Sequence, residues 1–286
     1  MNRAVTSSLV AVYVADMRDL AGAQGGSRDG LGTSRFEGLL SDGERERAGL
    51  LVDAADRSRF VAAHALLRLA TSAELELPLG RFSFDFTCAR CGGAHGRPRL
   101  IVGGEALPVT GGYTVSLSTS HDLVAVAVAV AVAAGAVATP PAAGEAGADA
   151  GTAREVGVDV QLVSATEFGG FDEVALTENE VAGIRSRDDA EMQRMRGVLW
   201  ARKEAVVKAL GRGLRVDPAT IDVSVTGTVS GTGSGIVNCE GLAVRWADVP
   251  LTVVGGAARY ASAVALMGSG DVEVVVKNGS DLLRRY

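Results

Sequence analysis

Cysteine is scarce in this chain of 286 residues. There are three, Cys88, Cys91 and Cys239. An odd, small number supplies no disulfide framework and suits a reducing, cytoplasmic setting. A basic excess is missing too. The formal net charge is −6, which argues against a nucleic-acid partner, although a local group of Arg and Lys can still hold an anion. Apolar runs long enough for a membrane or an export signal are also absent. Leu9 to Ala15 follows the single Arg3 and stops at Asp16. It is short for a signal-peptide core, lacks a clear cleavage site and reads as a buried first strand. Leu123 to Ala138 is too short and too Ala-rich to span a bilayer comfortably. No membrane association is expected. Finally, no Gly-x-Ser-x-Gly elbow surrounds the serines near Ser118, which leaves a serine hydrolase weakly supported.

What is present is globular. Hydrophobic residues make up 47% and charged residues 22%, enough for a substantial core. The length suits two domains or a duplicated one. Ala133 to Ala153 reads AAGAVATPPAAGEAGADAGTA, a composition expected of a flexible connection. It divides the chain into 1–135, a linker 136–153 and 154–286. The two sides read alike. On the first, helical spacing runs over Asp56–Thr71, followed by a strand at Arg81–Phe86 and a strand pair near Thr114–Ser118 and Leu123–Val132. On the second, a helix over Met195–Leu210 precedes strands at Thr220–Val225, Leu242–Trp246 and Ala261–Met267. The pattern predicts an α+β fold, a pseudo-twofold duplication of two similar α/β halves with a ligand cleft at their seam.

Several segments carry residues suited to chemistry, though each has an ordinary reading as well. VGVDVQLV, Val156–Val163, alternates as a strand. Val156, Val158, Val160 and Leu162 take one face; Gly157, Asp159 and Gln161 take the other. An acid and an amide there can approach one hard cation, or simply form a wet face. In LWARKEAVVKALGRGL, Leu199–Leu214, the positions of Trp200, Glu204 and Lys208 share a helix face apart from the Leu199, Val206 and Leu210 stripe. That places a carboxylate for a metal beside an ammonium for a phosphate, or a common surface pair. Gly211 and Gly213 supply a helix stop. SLSTSHD, Ser116–Asp122, sets His121 in a turn and offers the hydroxyls of Ser118, Thr119 and Ser120 to an anion. CARCGGAHGRPRL, Cys88–Leu100, contains three residues of the types that ligate zinc, Cys88, Cys91 and His95. A structural site wants four, and Cys239 is far away in sequence. Arg97 follows on a stiff Gly-Arg-Pro turn, a sensible place to hold a phosphate. Arg45, Arg47, Arg57 and Arg59 are interspersed with Glu44, Glu46, Asp53 and Asp56.

Their order is more telling than any one of them. GRP, SHD, GVDV and, about forty residues later, WARKEAVVK follow one another along the chain. In this the sequence resembles the 4′-phosphopantetheinyl transferases of the larger, surfactin-synthetase-activating type, from about Ser41 to Leu214. WARKEAVVK is the most specific part and GVDV the next. The resemblance implies magnesium-dependent transfer of the phosphopantetheine arm of coenzyme A to a serine of an apo acyl or peptidyl carrier protein, by a monomer whose two halves form one site. It implies magnesium ligands at Asp159 and Glu204, with Gln161 standing where many relatives have an acid. Lys208 is implied at the pyrophosphate, with Lys203 in the same motif. Ser120 and His121 match positions that contact coenzyme A phosphates, and Arg97 matches the basic residue of the Gly-Lys-Pro turn. Arg47 matches the residue that grips the 3′-phosphate, with Arg59 as a helper. Glu204, Lys208 and His121 are the expected catalytic groups. Gln161 leaves room for an alternative, a non-catalytic coenzyme A or carrier-protein binding module. A third reading is a zinc-containing structural or interaction protein centred on Cys88, Cys91 and His95.

Overall fold

SLVAVYVAD buries both faces of one strand: Val10, Val12 and Val14 enter one core, while Ala11, Tyr13 and Ala15 enter another. A strand covered on both sides sits in the middle of a layered molecule. The computed structural model describes residues 8–21, 33–103, 105–106, 113–133, 136–137, 154–211, 213–224, 233–268, 270 and 272–286. Apart from Ala136 and Val137, the linker expected at 136–153 lies outside the described residues.

The elements run β1 (Ser8–Asp16), α1 (Met17–Ala21), α2 (Asp42–Gly49), α3 (Ala54–Leu75), β2 (Phe82–Asp85), β3 (Arg99–Val102), β4 (Glu105–Ala106), β5 (Tyr113–Ser120), β6 (Leu123–Ala133) and β7 (Ala136–Val137). Then come β8 (Val156–Leu162), α4 (Phe171–Ala175), α5 (Glu178–Ile184), α6 (Asp189–Leu210), β9 (Ser234–Cys239), β10 (Leu242–Asp248), β11 (Tyr260–Met267), β12 (Val272–Asn278) and α7 (Gly279–Arg285). The fold is α+β. One sheet has the order β12-β1-β6-β5, with β7 added on β6; a second has the order β8-β11-β10-β9; a small third holds β2-β3-β4. The first two correspond in part. In each, the opening strand (β1, β8) pairs antiparallel with a later one (β6, β11), which pairs antiparallel with its predecessor (β5, β10). Each also carries a 22-residue helix, α3 or α6. Among the described residues no helix is long and apolar enough to cross a membrane.

Three apolar cores order the layers. Tyr13, Leu66, Leu67 and Val126 lie between α3 and the first sheet. Val10, Val12, Val158, Val160 and Val264 fill the space between the two large sheets. Ala205, Val206, Ala209, Trp246 and Ala263 lie between the second sheet and α6. Both long helices exceed their expected spans because their caps lie further out. Asp53 accepts the N–H of Asp56 to start α3, and Asp188 accepts that of Glu191 to start α6. Gly211, with φ of 65°, ends α6 in the left-handed conformation.

The sheets meet through side chains. β5 and β8 are edge strands of different sheets. Ser116 Oγ accepts the Val158 N–H at 3.1 Å, Ser118 Oγ that of Val160 at 3.4 Å, and Ser120 Oγ that of Leu162 at 2.9 Å. Thr114 Oγ1 donates to the Arg154 carbonyl at 2.8 Å. Alternate hydroxyls thus satisfy the N–H groups that an unpaired edge would leave exposed.

On its other face β8 lies hard against α6. A Cβ on Gly157 would stand 2.1 Å from the Ala205 carbonyl oxygen and 2.5 Å from the Ala209 nitrogen. Gly157→Ala is therefore expected to cost about 3 kcal/mol, because helix backbone has to move. A denaturant titration checks this, and an unchanged midpoint would refute the contact.

One expected strand is absent. Residues 221–224 of the predicted Thr220–Val225 strand form no ladder, and Val225 lies outside the described residues. Ile221 and Val223 alternate inward as in a strand and are buried. The Ile221 N–H bonds the Pro218 carbonyl at 3.1 Å, and the backbone groups of Val223 and Ser224 go to side chains. Glu180 Oε1 accepts the Val223 N–H at 2.9 Å, Arg202 Nη1 donates to the Val223 carbonyl at 3.2 Å, and Asp222 Oδ1 accepts the Ser224 N–H at 2.9 Å.

Candidate active site

The alternation of GVDV brings Asp159 to the α6 face of β8, 5% exposed. Its Oδ1 accepts from Ser118 Oγ at 2.7 Å and from Lys208 Nζ at 2.6 Å. Its Oδ2 is buried with no hydrogen-bond partner. Lys208 Nζ also donates to Ser118 Oγ at 2.9 Å and to the Val158 carbonyl at 3.1 Å. One helical turn earlier stands Glu204. Burial raises its carboxyl above the ordinary value and the Asp159 charge raises it further, against a lowering by Lys208.

These groups leave a centre short of positive charge. One carboxylate oxygen is buried and unmatched, and the neighbouring Glu204 carboxyl resists ionisation, first through burial and then through the Asp159 charge. Hard oxygen donors in such a deficit fit a magnesium ion. The residues present therefore suit the metal that the resemblance implies.

Ser118 ties the centre together. Its hydroxyl donates to Asp159 and accepts from Lys208 and from the Val160 N–H. Sequence reasoning had it only as a hydroxyl offered to an anion. The signal that could have found it is the Ser-x-Ser-x-Ser alternation at 116, 118 and 120, matched to alternate residues of β8.

Ser120 and His121 lie where β5 turns into β6. Ser120 pairs with Leu123, leaving His121 and Asp122 as a two-residue turn. His121 is exposed and has φ of 50°, an uncommon conformation for a non-glycine residue, costing about 1 kcal/mol. The turn is pinned to the second sheet, since the Tyr260 hydroxyl accepts the Asp122 N–H at 3.3 Å.

Other expected residues are placed differently. Gln161 faces α6 as the alternation requires, but its Nε2 donates to the Leu162 carbonyl at 3.0 Å instead of turning to Asp159 or Lys208. Lys203 is corrected outright. It is fully buried, paired with Glu180 Oε2 at 2.5 Å, and donates to the Ala175 and Pro218 carbonyls at 2.7 and 2.9 Å. With all three ammonium protons used inside the core, it reaches no cofactor. Arg97 is also committed. Its guanidinium pairs with Glu155 at 2.6 Å and donates to the carbonyls of Val156 at 2.5 Å and Ala209 at 3.3 Å. It clamps β8 and α6 to the first half rather than standing free for a phosphate. Arg59 is paired with Asp56 one turn away. Arg47 donates to the Ala94 carbonyl and lies 5.3 Å from the Phe60 ring centre.

Beneath Arg47 is a buried network that sequence reasoning missed. Glu44 Oε1 bonds His64 Nδ1 at 2.6 Å and Arg68 Nη1 at 2.9 Å, and Glu44 closes the capping box of α2 with Ser41. Burial alone would raise the Glu44 carboxyl. The bonds from His64 and Arg68 outweigh it and hold the group at about 2. The network fixes the helix that carries Arg47.

Two carboxylates beside an ammonium, where β5 meets β8 and α6 in an α+β fold, form a centre whose donors suit a cation. Residues 155–265, which contain Asp159, Glu204 and Lys208, match the model of the 4′-phosphopantetheinyl transferase superfamily. The match supports phosphopantetheinyl transfer as the class of reaction. No curated protein matches the chain.

Proposed function

We propose that the chain moves the phosphopantetheine arm of coenzyme A onto a serine of an apo acyl or peptidyl carrier protein and releases 3′,5′-ADP. Asp159 and Glu204 would hold a magnesium ion. The observation that carries this reading is the buried, unpartnered Asp159 Oδ2 beside a Glu204 whose charge is disfavoured. Bound there, magnesium supplies positive charge against the diphosphate.

The remaining work falls to side chains. Lys208 keeps an ammonium beside Asp159, where it stabilises charge that builds on the phosphoryl oxygens. Ser118 orients both groups. Glu204, with its raised carboxyl, takes the proton from the carrier serine as that oxygen bonds to phosphorus and the bond to 3′,5′-ADP breaks. Ser120 and His121 meet the phosphates of coenzyme A from the β5–β6 turn, and Arg47 meets its 3′-phosphate. One chain contributes all of these groups, so a cytoplasmic monomer is the expected active form.

The test mixes the chain with apo carrier protein, coenzyme A and magnesium and weighs the carrier. A gain of one phosphopantetheine, abolished by chelation of magnesium, is the expected result. Coenzyme A binding without any loading across acyl and peptidyl carriers would overturn the transferase and leave a binding module.

A further inference from the structure

We propose that Cys88, Cys91 and His95 bind one zinc ion, which braces the loop holding the two halves together. Nothing in the proposed transfer uses these residues. The sequence spacing is Cys-x2-Cys-x3-His. The two sulfurs and one ring nitrogen all lie within 4.8 Å of one another, and Cys91 Sγ stands 2.9 Å from His95 Nε2. Tetrahedral zinc with sulfur and nitrogen ligands needs donor separations of roughly 3.3–3.8 Å. Small rotations of exposed side chains reach that range. Two thiolates and an imidazole form a soft set that selects zinc over the hard magnesium of the seam.

The loop is already folded to present them. Cys88 N–H donates to the Gly93 carbonyl at 2.8 Å, and Gly92 N–H returns to the Cys88 carbonyl at 2.9 Å. Gly92 has φ of 71°, which allows this tight reversal. Gly96 N–H then bonds the Phe86 carbonyl at 2.6 Å and closes the loop on itself. Cys91 and His95 are exposed, so the fourth position is open to water. Cys239 takes no part, being buried in the core under α6.

The location gives the metal its role. Arg97, two residues beyond His95, clamps Val156 of β8 and Ala209 of α6. Arg47 holds Ala94 from the other side. A zinc ion at 88–95 would therefore stiffen the segment through which both arginines act.

The experiment uses the full chain, reduced, stripped with chelator and titrated with cobalt and then zinc, without coenzyme A or carrier. One equivalent of cobalt should give a tetrahedral spectrum with thiolate charge transfer, bleached by one equivalent of zinc. The variants Cys88→Ser/Cys91→Ser and His95→Asn should lose the charge-transfer band or the stoichiometry. In the wild type, stripping the metal should also increase proteolytic cleavage within 88–97. A wild-type chain without the band overturns the proposal. So does one that retains as little zinc as the double variant, or that forms a Cys88–Cys91 disulfide in preference to binding zinc. None of these outcomes depends on transfer activity, so the two readings fail separately.

Discussion

Asparagine in place of Asp159 is expected to lower carrier loading by about 10²–10³-fold at saturating magnesium. The substitution keeps the shape of a side chain that is 5% exposed, so the loss reports charge and not packing. Two consequences should separate it from simple damage. Asp159 is the second cause, after burial, of the raised Glu204 carboxyl, so its removal lets that carboxyl fall back. A raised carboxyl stabilises the fold below the ordinary carboxylate range and loses that contribution as pH rises through the raised value. At neutral pH the metal-free wild type therefore carries a penalty that the variant relieves. Magnesium should raise the wild-type melting temperature at neutral pH and leave the variant unchanged. Melting curves with and without magnesium, at neutral and mildly acidic pH, measure this. Glu204→Gln should likewise stabilise the metal-free protein while reducing turnover. Ordinary loading by the Asp159 variant would sink the assignment.

Lys203→Ala should cost about 3–5 kcal/mol, the loss expected when one member of a buried ion pair is removed. The partner Glu180 has no exposed side-chain area and caps α5 through the Thr177 N–H at 2.9 Å. It also accepts the Val223 N–H. Without Lys203 the carboxylate stays in the core, holding a helix start and an extended segment with no counter-charge. Lys203→Met together with Glu180→Leu should recover part of the loss, because neither charge is then stranded. Denaturant titration of the single and double variants gives the comparison. A single variant of wild-type stability that bound coenzyme A weakly would return Lys203 to the role suggested by its motif.

The contrast between Lys203 and Lys208 shows how the site could be read from sequence. A helix turns about 100° per residue, which puts Lys208 about 40° from Glu204 and Lys203 about 140° from Lys208. Periodicity alone thus assigns Glu204 and Lys208 to one side, as the structure has them. The motif resemblance grouped Lys203 with them because adjacency in a pattern carries no direction. Asp159 was legible for the same reason as Glu204, since alternation in a strand fixes its face. Arg97 was not. Its partners Glu155, Val156 and Ala209 lie far along the chain, and no local period announces them. The serine ladder escaped notice too, because it joins edges of two different sheets. The Thr220–Val225 segment misled in the opposite sense. Its side chains alternate correctly, but Glu180, Arg202 and Asp222 occupy the backbone groups a neighbouring strand would need.

β12 lies parallel beside β1, from Ser8 against Val272 to Val14 against Asn278. Just past this pair Asp16 N–H donates to Ser280, 264 positions away. During synthesis the opening strand would leave the ribosome long before its neighbour exists. Until then it would present an open edge of unpaired backbone, the kind that recruits stray strands. The layer that contains β1 is thus completed only when residues 272–286 arrive, so maturation of one half is timed by translation of the other.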